Sequence, residues 1–167
     1  LPNELATSSG RSPALFAYYA ALNLLDARGL YSQHKVSELL DPAMHANREA
    51  LERHHLFTKG YLKTLGMTAT RDTNQIGNFA LVEWGDNSDI GATPPAAYAP
   101  RYEAKLTEGE RAEMYYWHAL PEKWHTLEYR VFLERRRELM ARIIRDGYDR
   151  LVEGKPSAAE PLSAVRI

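Results

Sequence analysis

Cysteine is absent from this chain of 167 residues. That excludes disulfide frameworks, thiolate nucleophiles, iron–sulfur clusters and every cysteine-based zinc site, and it fits a reducing compartment, so a cytoplasmic setting is expected. Net charge is nearly absent too: 21 Lys and Arg stand against 22 Asp and Glu. A phosphate-binding surface must therefore be a local patch rather than a global property. Long hydrophobic runs are missing. The most apolar stretch, Ala14 to Leu22, has nine residues, about half of what a membrane span needs, and no charged segment with a cleavage site precedes it. Neither an internal repeat nor a nucleotide-binding motif is visible, so NTP hydrolysis by this segment alone is not expected.

What is present has the composition of one globular domain, with 44% hydrophobic and 26% charged residues, values far from those of disordered chains. Residues 1–12 are small and polar and read as the end of a linker. Because the chain opens on Leu1 rather than Met, a further segment upstream is expected. Ser12 and Pro13 suit an N-cap and first helical position, and the run to Gly29 predicts a helix of about four turns, apolar on nearly every face. Short helices are expected over residues 35–40 and 43–51.

The texture then changes. ERHHLF reads as a strand, KGYLKTLG as a turn of helix, MTATRDTNQIG as a polar loop, and NFALVEW as the best strand in the chain. Asp86 is a candidate cap for a helix beginning at Asn87, and Pro94, Pro95 and Pro100 are expected to break the next stretch into short pieces. A long helix is predicted over about 126–152, with Phe132, Leu139, Met140, Ile143 and Leu151 sharing one face, and residues 153–167 read as a flexible tail. This order predicts an α+β domain, mostly helical, with a small two-stranded insert.

The polar residues of the insert carry the chemical signal. His54 and His55 are adjacent on a predicted strand and so point to opposite faces. They cannot chelate one ion together, but each can do a separate job, one binding a metal and one facing a substrate. Asn78 opens the second strand, and Asn87 stands nine residues further on. An Asn amide oxygen is a hard neutral ligand suited to Mg²⁺ or Mn²⁺, and a helix N-terminus beside it favours phosphate.

Strand with His-His, loop, Asn, strand, then a second Asn is a pattern that resembles the HNH, or ββα-metal, nucleases. The blocks ERHHLFTKGYL, NQIGNFALVEWGDN, PPAAYAPRY and LPEKWHTLEYRVFLERRRELMARIIRDGYDRL resemble the C-terminal domain of GmrSD-type, modification-dependent restriction proteins, a group that includes the phosphorothioate-sensing SspE proteins. The resemblance covers most of residues 13–152, with the metal motif at about 52–92. It implies a DNA nickase of anti-phage defence, acting on double-stranded phage DNA. It also implies an N-terminal nucleotide-hydrolysing sensor domain, which this sequence does not contain. The roles implied are His55 as general base, His54 and Asn87 as ligands of one Mg²⁺ or Mn²⁺, and Asn78 holding the loop and orienting His55. Two departures stand out. Thr58 replaces the usual Pro, and Gly91 stands where many HNH enzymes carry another ligand, leaving a metal completed by water and phosphate oxygens.

Competing readings accompany this one. An HNH-like module that grips DNA or a partner domain without cutting is the main alternative. A purely helical interaction domain would leave the four motif residues unexplained. Among the remaining histidines, His118 is the best outside candidate because it precedes Leu-Pro. From Arg130 to Arg145 there are six Arg against two Glu. Arg135 and Arg142, seven apart, are candidate phosphate contacts, whereas Arg136 falls inside the apolar arc and reads as a paired, half-buried residue. Lys59, Lys63 and Arg71 flank the predicted metal site and are the better candidates for holding DNA. Trp84, Trp117, Trp124 and most Tyr fall within apolar periodicity and read as core.

Overall fold

The computed structural model describes residues 2–40, 51–83 and 90–154. Helix α1 spans Pro13–Leu24, with Pro13 at its first position as the sequence suggests. It ends before the expected Gly29. Asp26 takes up a left-handed conformation, φ 53°, and the Ala27 N–H turns back to Leu22 O at 2.9 Å while the Asp26 N–H reaches Asn23 O at 3.2 Å. These two bonds close the helix in the way a glycine usually does, and a short polar Asp tolerates the geometry. The short helix α2 follows at Val36–Leu40. The helix expected over residues 43–51 lies outside the described residues, apart from Leu51, which opens a strand.

Strand β1, Leu51–His55, pairs antiparallel with β2, Phe79–Glu83, so that His55 stands opposite Phe79 and His54 opposite Ala80. Between them, residues 56–78 form α3 (Lys59–Thr64), α4 (Thr70–Thr73) and a 3-10 turn (Ile76–Asn78). The stretch expected to be a polar loop is thus partly helical. Asn78 closes that turn rather than beginning the strand. The outer edge of β2 is covered where Leu30 N–H donates to Leu81 O at 2.7 Å, which removes an exposed strand edge.

Alternate residues of β2 enter two hydrophobic clusters. Ala80 and Val82 join Leu56, Phe57, Tyr98, Trp124 and Phe132, whereas Phe79 and Leu81 join Leu15, Tyr18, Leu22, Met140 and Ile143. Residues 79–82 of β2 are therefore buried on both faces of the sheet, whereas Arg53 of β1 is exposed and His55 half-buried. This explains why NFALV lacks polar alternation.

Helix α5, Pro95–Glu103, runs through Pro100 without breaking, contrary to the expected short pieces. Proline removes only one intrahelical bond here, and buried Tyr98 and Ala99 hold the segment against the core. Helix α6, Glu108–Trp117, opens with a complete capping box between Thr107 and Glu110. The last helix, α7, spans Tyr129–Glu153 and is capped by the Glu128 carboxylate, which accepts from the N–H groups of Arg130 and Val131. Phe132, Met140 and Ile143 face the core as the periodicity predicts, but Leu151 is 62% exposed because the last turns project beyond the partner elements.

Helices α1 and α7 pack along each other at very close range. A Cβ on Gly147 would sit 2.6 Å from the Cβ of Ala21, so the pair Ala21 and Gly147 permits the approach. The amino-terminal residues differ from the linker expected. Pro2–Leu5 form a 3-10 turn, Leu5 is fully buried in the same cluster as α1, and Ile76 N–H donates to Thr7 O at 2.9 Å. The architecture is α+β, mostly helical, around one two-stranded antiparallel sheet. Among the described residues no helix is long and apolar enough to cross a membrane.

Candidate functional site

The two histidines of β1 lie on opposite faces of the hairpin, as strand geometry requires. His54 is 3% exposed and meets the Tyr98 ring edge to face, 5.8 Å between centroids. His55 lies on the other face and packs edge to face on Phe79 at 4.7 Å. Arg53 shares that face; its guanidinium sits 5.5 Å over the same Phe79 ring.

His55 Nε2 is 3.0 Å from Asn74 Oδ1. Burial pulls the His55 imidazole below its ordinary pKa. The Asn74 bond opposes that shift, while Lys59 and Arg53 reinforce it. The ring is therefore neutral near pH 7 and able to accept a proton.

Asn78 is fully buried and makes three bonds: Oδ1 accepts from Phe57 N–H at 2.8 Å, and Nδ2 donates to Phe57 O at 3.0 Å and Thr73 O at 3.1 Å. It clamps the exit of β1 to the end of α4. The loop-holding half of its expected role matches this geometry. The orienting half does not, because the side chain bonded to His55 is Asn74. Asn74 falls within the stretch expected to be a polar loop, and no role is expected for it there. The available signal was that an Asn ending a short helical turn is well placed to direct its amide outward.

Asn87 lies outside the described residues, so the His54–Asn87 pairing has no geometry here. Ile90, three residues further on, is fully buried in the cluster that holds Tyr98, the ring partner of His54. Ile90 thus lies on the His54 side of the hairpin. Among the described residues, no group of three or more His, Asp or Glu is disposed to share an ion. Thr58 caps α3 by accepting from Tyr61 N–H at 3.3 Å.

The candidate DNA-binding residues divide. Lys59 and Lys63 are exposed on α3, with Lys59 near enough to His55 to influence its charge. Arg71 is exposed at the start of α4 and lies 3.7 Å from the Asp72 carboxylate. Arg135 and Arg142 are exposed on the flank of α7 that also carries Asp146, the partner of Tyr116 of α6 at 2.7 Å. The opposite flank, about 200° round the helix at 100° per residue, carries Arg137. Its Nη2 donates to Gln75 Oε1 at 2.7 Å. Arg137 lines a cavity of about 330 Å³ with Arg130, Gln75, Asp72 and Tyr129. Helix rotation therefore separates Arg135 and Arg142 from the His55 loop and brings Arg137 to it.

Arg136 is fully buried rather than half-buried, and backbone carbonyls hold it instead of a carboxylate. Nε donates to His118 O at 3.1 Å and Nη1 to Gly77 O at 2.8 Å. The Tyr18 hydroxyl, which donates to Trp117 O at 2.7 Å, lies beside the guanidinium. His118 is also internal. Its Nε2 lies 3.0 Å from Arg28 O, and burial drives its pKa down to about 4. Both belong to the scaffold.

Compared with family models, with curated proteins and with solved structures, the chain matches none.

Proposed function

We propose that this domain is a metal-dependent DNA endonuclease of the HNH type that nicks double-stranded DNA. The observation that carries the reading is the back-to-back disposition of His54 and His55 on the hairpin, with a neutral, half-buried His55 held by an amide and flanked by Arg53 and Lys59. That arrangement supports a division of labour in which one imidazole serves as base and the other as ligand on opposite sides of one strand.

His55 takes a proton from water while the water oxygen attacks phosphorus, and the bond to the 3′ oxygen breaks. His54 and Asn87 are the residues that would hold Mg²⁺ or Mn²⁺, and the ion would supply charge stabilisation at the phosphate and leaving oxygen. Asn78 keeps the exit of β1 fixed on the end of α4, and Asn74 holds the His55 ring. Arg53 and Lys59 attract the DNA backbone on the His55 face, with Lys63 and Arg71 further along. The biological setting proposed from the resemblance is restriction of phage DNA under control of an upstream nucleotide-hydrolysing sensor.

The test is relaxation of supercoiled plasmid with Mg²⁺ or Mn²⁺. Wild-type protein should nick, and His55→Ala should fold normally, keep DNA binding and lose cleavage by roughly two to four orders of magnitude. Near wild-type cutting by His55→Ala would remove His55 from the mechanism. DNA binding without any cutting by wild type would favour the non-cleaving module.

A further inference from the structure

We infer that Asn74 is a positioning residue that locks His55 in the tautomer protonated on Nε2, so that Nδ1 is the atom that receives the proton from water. The inference rests on the nuclease reading for its catalytic half and on geometry alone for the lock. Asn74 Oδ1 stands 3.0 Å from His55 Nε2. An amide oxygen only accepts, so the proton of this bond belongs to Nε2 and the lone pair to Nδ1. The ring cannot turn away easily, because Phe79 packs against it at 4.7 Å.

Asn74 is itself held from several directions. Its own N–H closes α4 on Thr70 O at 2.8 Å. On its amino side, Thr73 O receives the Asn78 amide at 3.1 Å, and Asp72 O receives the Tyr129 hydroxyl of α7 at 2.9 Å. On its carboxyl side, the Gln75 side chain is fixed between Arg71 O at 2.6 Å and Arg137 Nη2 at 2.7 Å, and Ile76 N–H is tied to Thr7 O at 2.9 Å. Four elements thus pin the residues around one side chain, and that side chain spends its oxygen on His55. A positioning group works only if its own place is over-determined, and this one is.

The experiment combines a spectroscopic and a kinetic readout on the full chain. In ¹⁵N-histidine-labelled protein, the His55 signals are identified by their loss in His55→Gln. Wild type should show a protonated-type Nε2 and a pyridine-type Nδ1. Asn74→Leu, similar in volume but without the acceptor, should give a mixture of tautomers. It should also lower kcat for plasmid nicking by roughly ten- to a hundredfold with KM little changed. Asn74→Asp retains an acceptor and should restore the tautomer and most of kcat. A pyridine-type Nε2 in wild type, from an amide turned to donate its N–H instead, would overturn the inference, as would unchanged tautomer and kcat in Asn74→Leu. If Asn74→Leu fails to fold, failure of Asn74→Asp to keep the wild-type tautomer overturns the lock equally. A wild-type protein with the Nε2–H tautomer that never nicks DNA removes the nuclease reading and the role of Nδ1 as base, while the lock itself stands.

Discussion

The Arg136 guanidinium donates to the carbonyl of Gly77 at 2.8 Å from a wholly buried position on α7. That bond joins the longest helix to the turn that ends in Asn78, one residue before β2. Through its second bond, to His118 O, the same side chain also holds the end of α6. Three elements of the scaffold therefore meet on one cation. Phe132 lies 5.9 Å from it.

Replacing Arg136 should be costly for a reason that charge alone does not give. Arg136→Ala leaves two buried carbonyls without donors and opens a cavity beside Tyr18. The expected loss is about 3–5 kcal/mol, read as a lower midpoint in urea unfolding. A loss below about 1 kcal/mol would mean that water replaces the guanidinium at little cost.

Asn78→Ala removes all three hydrogen bonds that close the β1 exit on α4. A cost of about 2–4 kcal/mol is expected, and hydrogen exchange at Phe57 N–H should speed up more than exchange in α7. Asn78→Asp keeps the acceptor for Phe57 N–H but faces the carbonyls of Phe57 and Thr73 with a carboxylate, so it should not rescue stability. Uniform exchange changes across the chain would contradict a local clamp.

His118 sets a pH dependence of stability whose sign follows from its burial. Its pKa is about 4 in the folded protein, against about 6.5 in the unfolded chain. Above the unfolded value both states are neutral and stability is complete. As pH falls from there toward 4, the unfolded chain takes up a proton that the folded chain refuses, and stability is lost. Between pH of about 7.5 and about 5 this amounts to about 2 kcal/mol. His118→Gln should flatten that part of the profile. Parallel profiles for wild type and variant would rule His118 out as the source.

The DNA contacts should follow the rotation of α7. Charge removal at Arg53 or Lys59, on the His55 side, should weaken binding of a DNA duplex and lower its salt dependence by about one ion each. Arg135→Ala and Arg142→Ala, on the α6 flank, should do much less. Fluorescence anisotropy against salt concentration measures both, and an equal or larger effect from Arg135 would mean that DNA crosses the opposite flank of the helix.

Cleavage should appear as nicks. The nuclease reading assigns one base, His55, and one metal site, and a single in-line attack breaks one strand. Supercoiled plasmid should pass first to the open circle, with linear product only as nicks accumulate. Linear DNA from the first time points at low enzyme concentration would point to a dimer acting on both strands.

Local chemistry was enough to read the mostly helical α+β class, both strands, the placement of α7 and the opposite bearings of His54 and His55. These depend on periodicity, caps and the two-residue repeat of a strand, which the sequence carries directly. Tertiary structure decided what depends on a partner elsewhere in the chain. It buried Leu5 and tied Thr7 to Ile76, because α1 and α7 offer an apolar surface to that one side chain. It carried α5 through Pro100, because packing of Tyr98 and Ala99 outweighs one missing hydrogen bond. It chose Asn74 over Asn78 as the partner of His55, and Arg137 over Arg135 as the arginine beside that loop. The composition of the sequence cannot rank two asparagines four residues apart or two arginines two residues apart. Their roles differ through the direction in which the folded backbone points them, and that direction follows from long-range contacts.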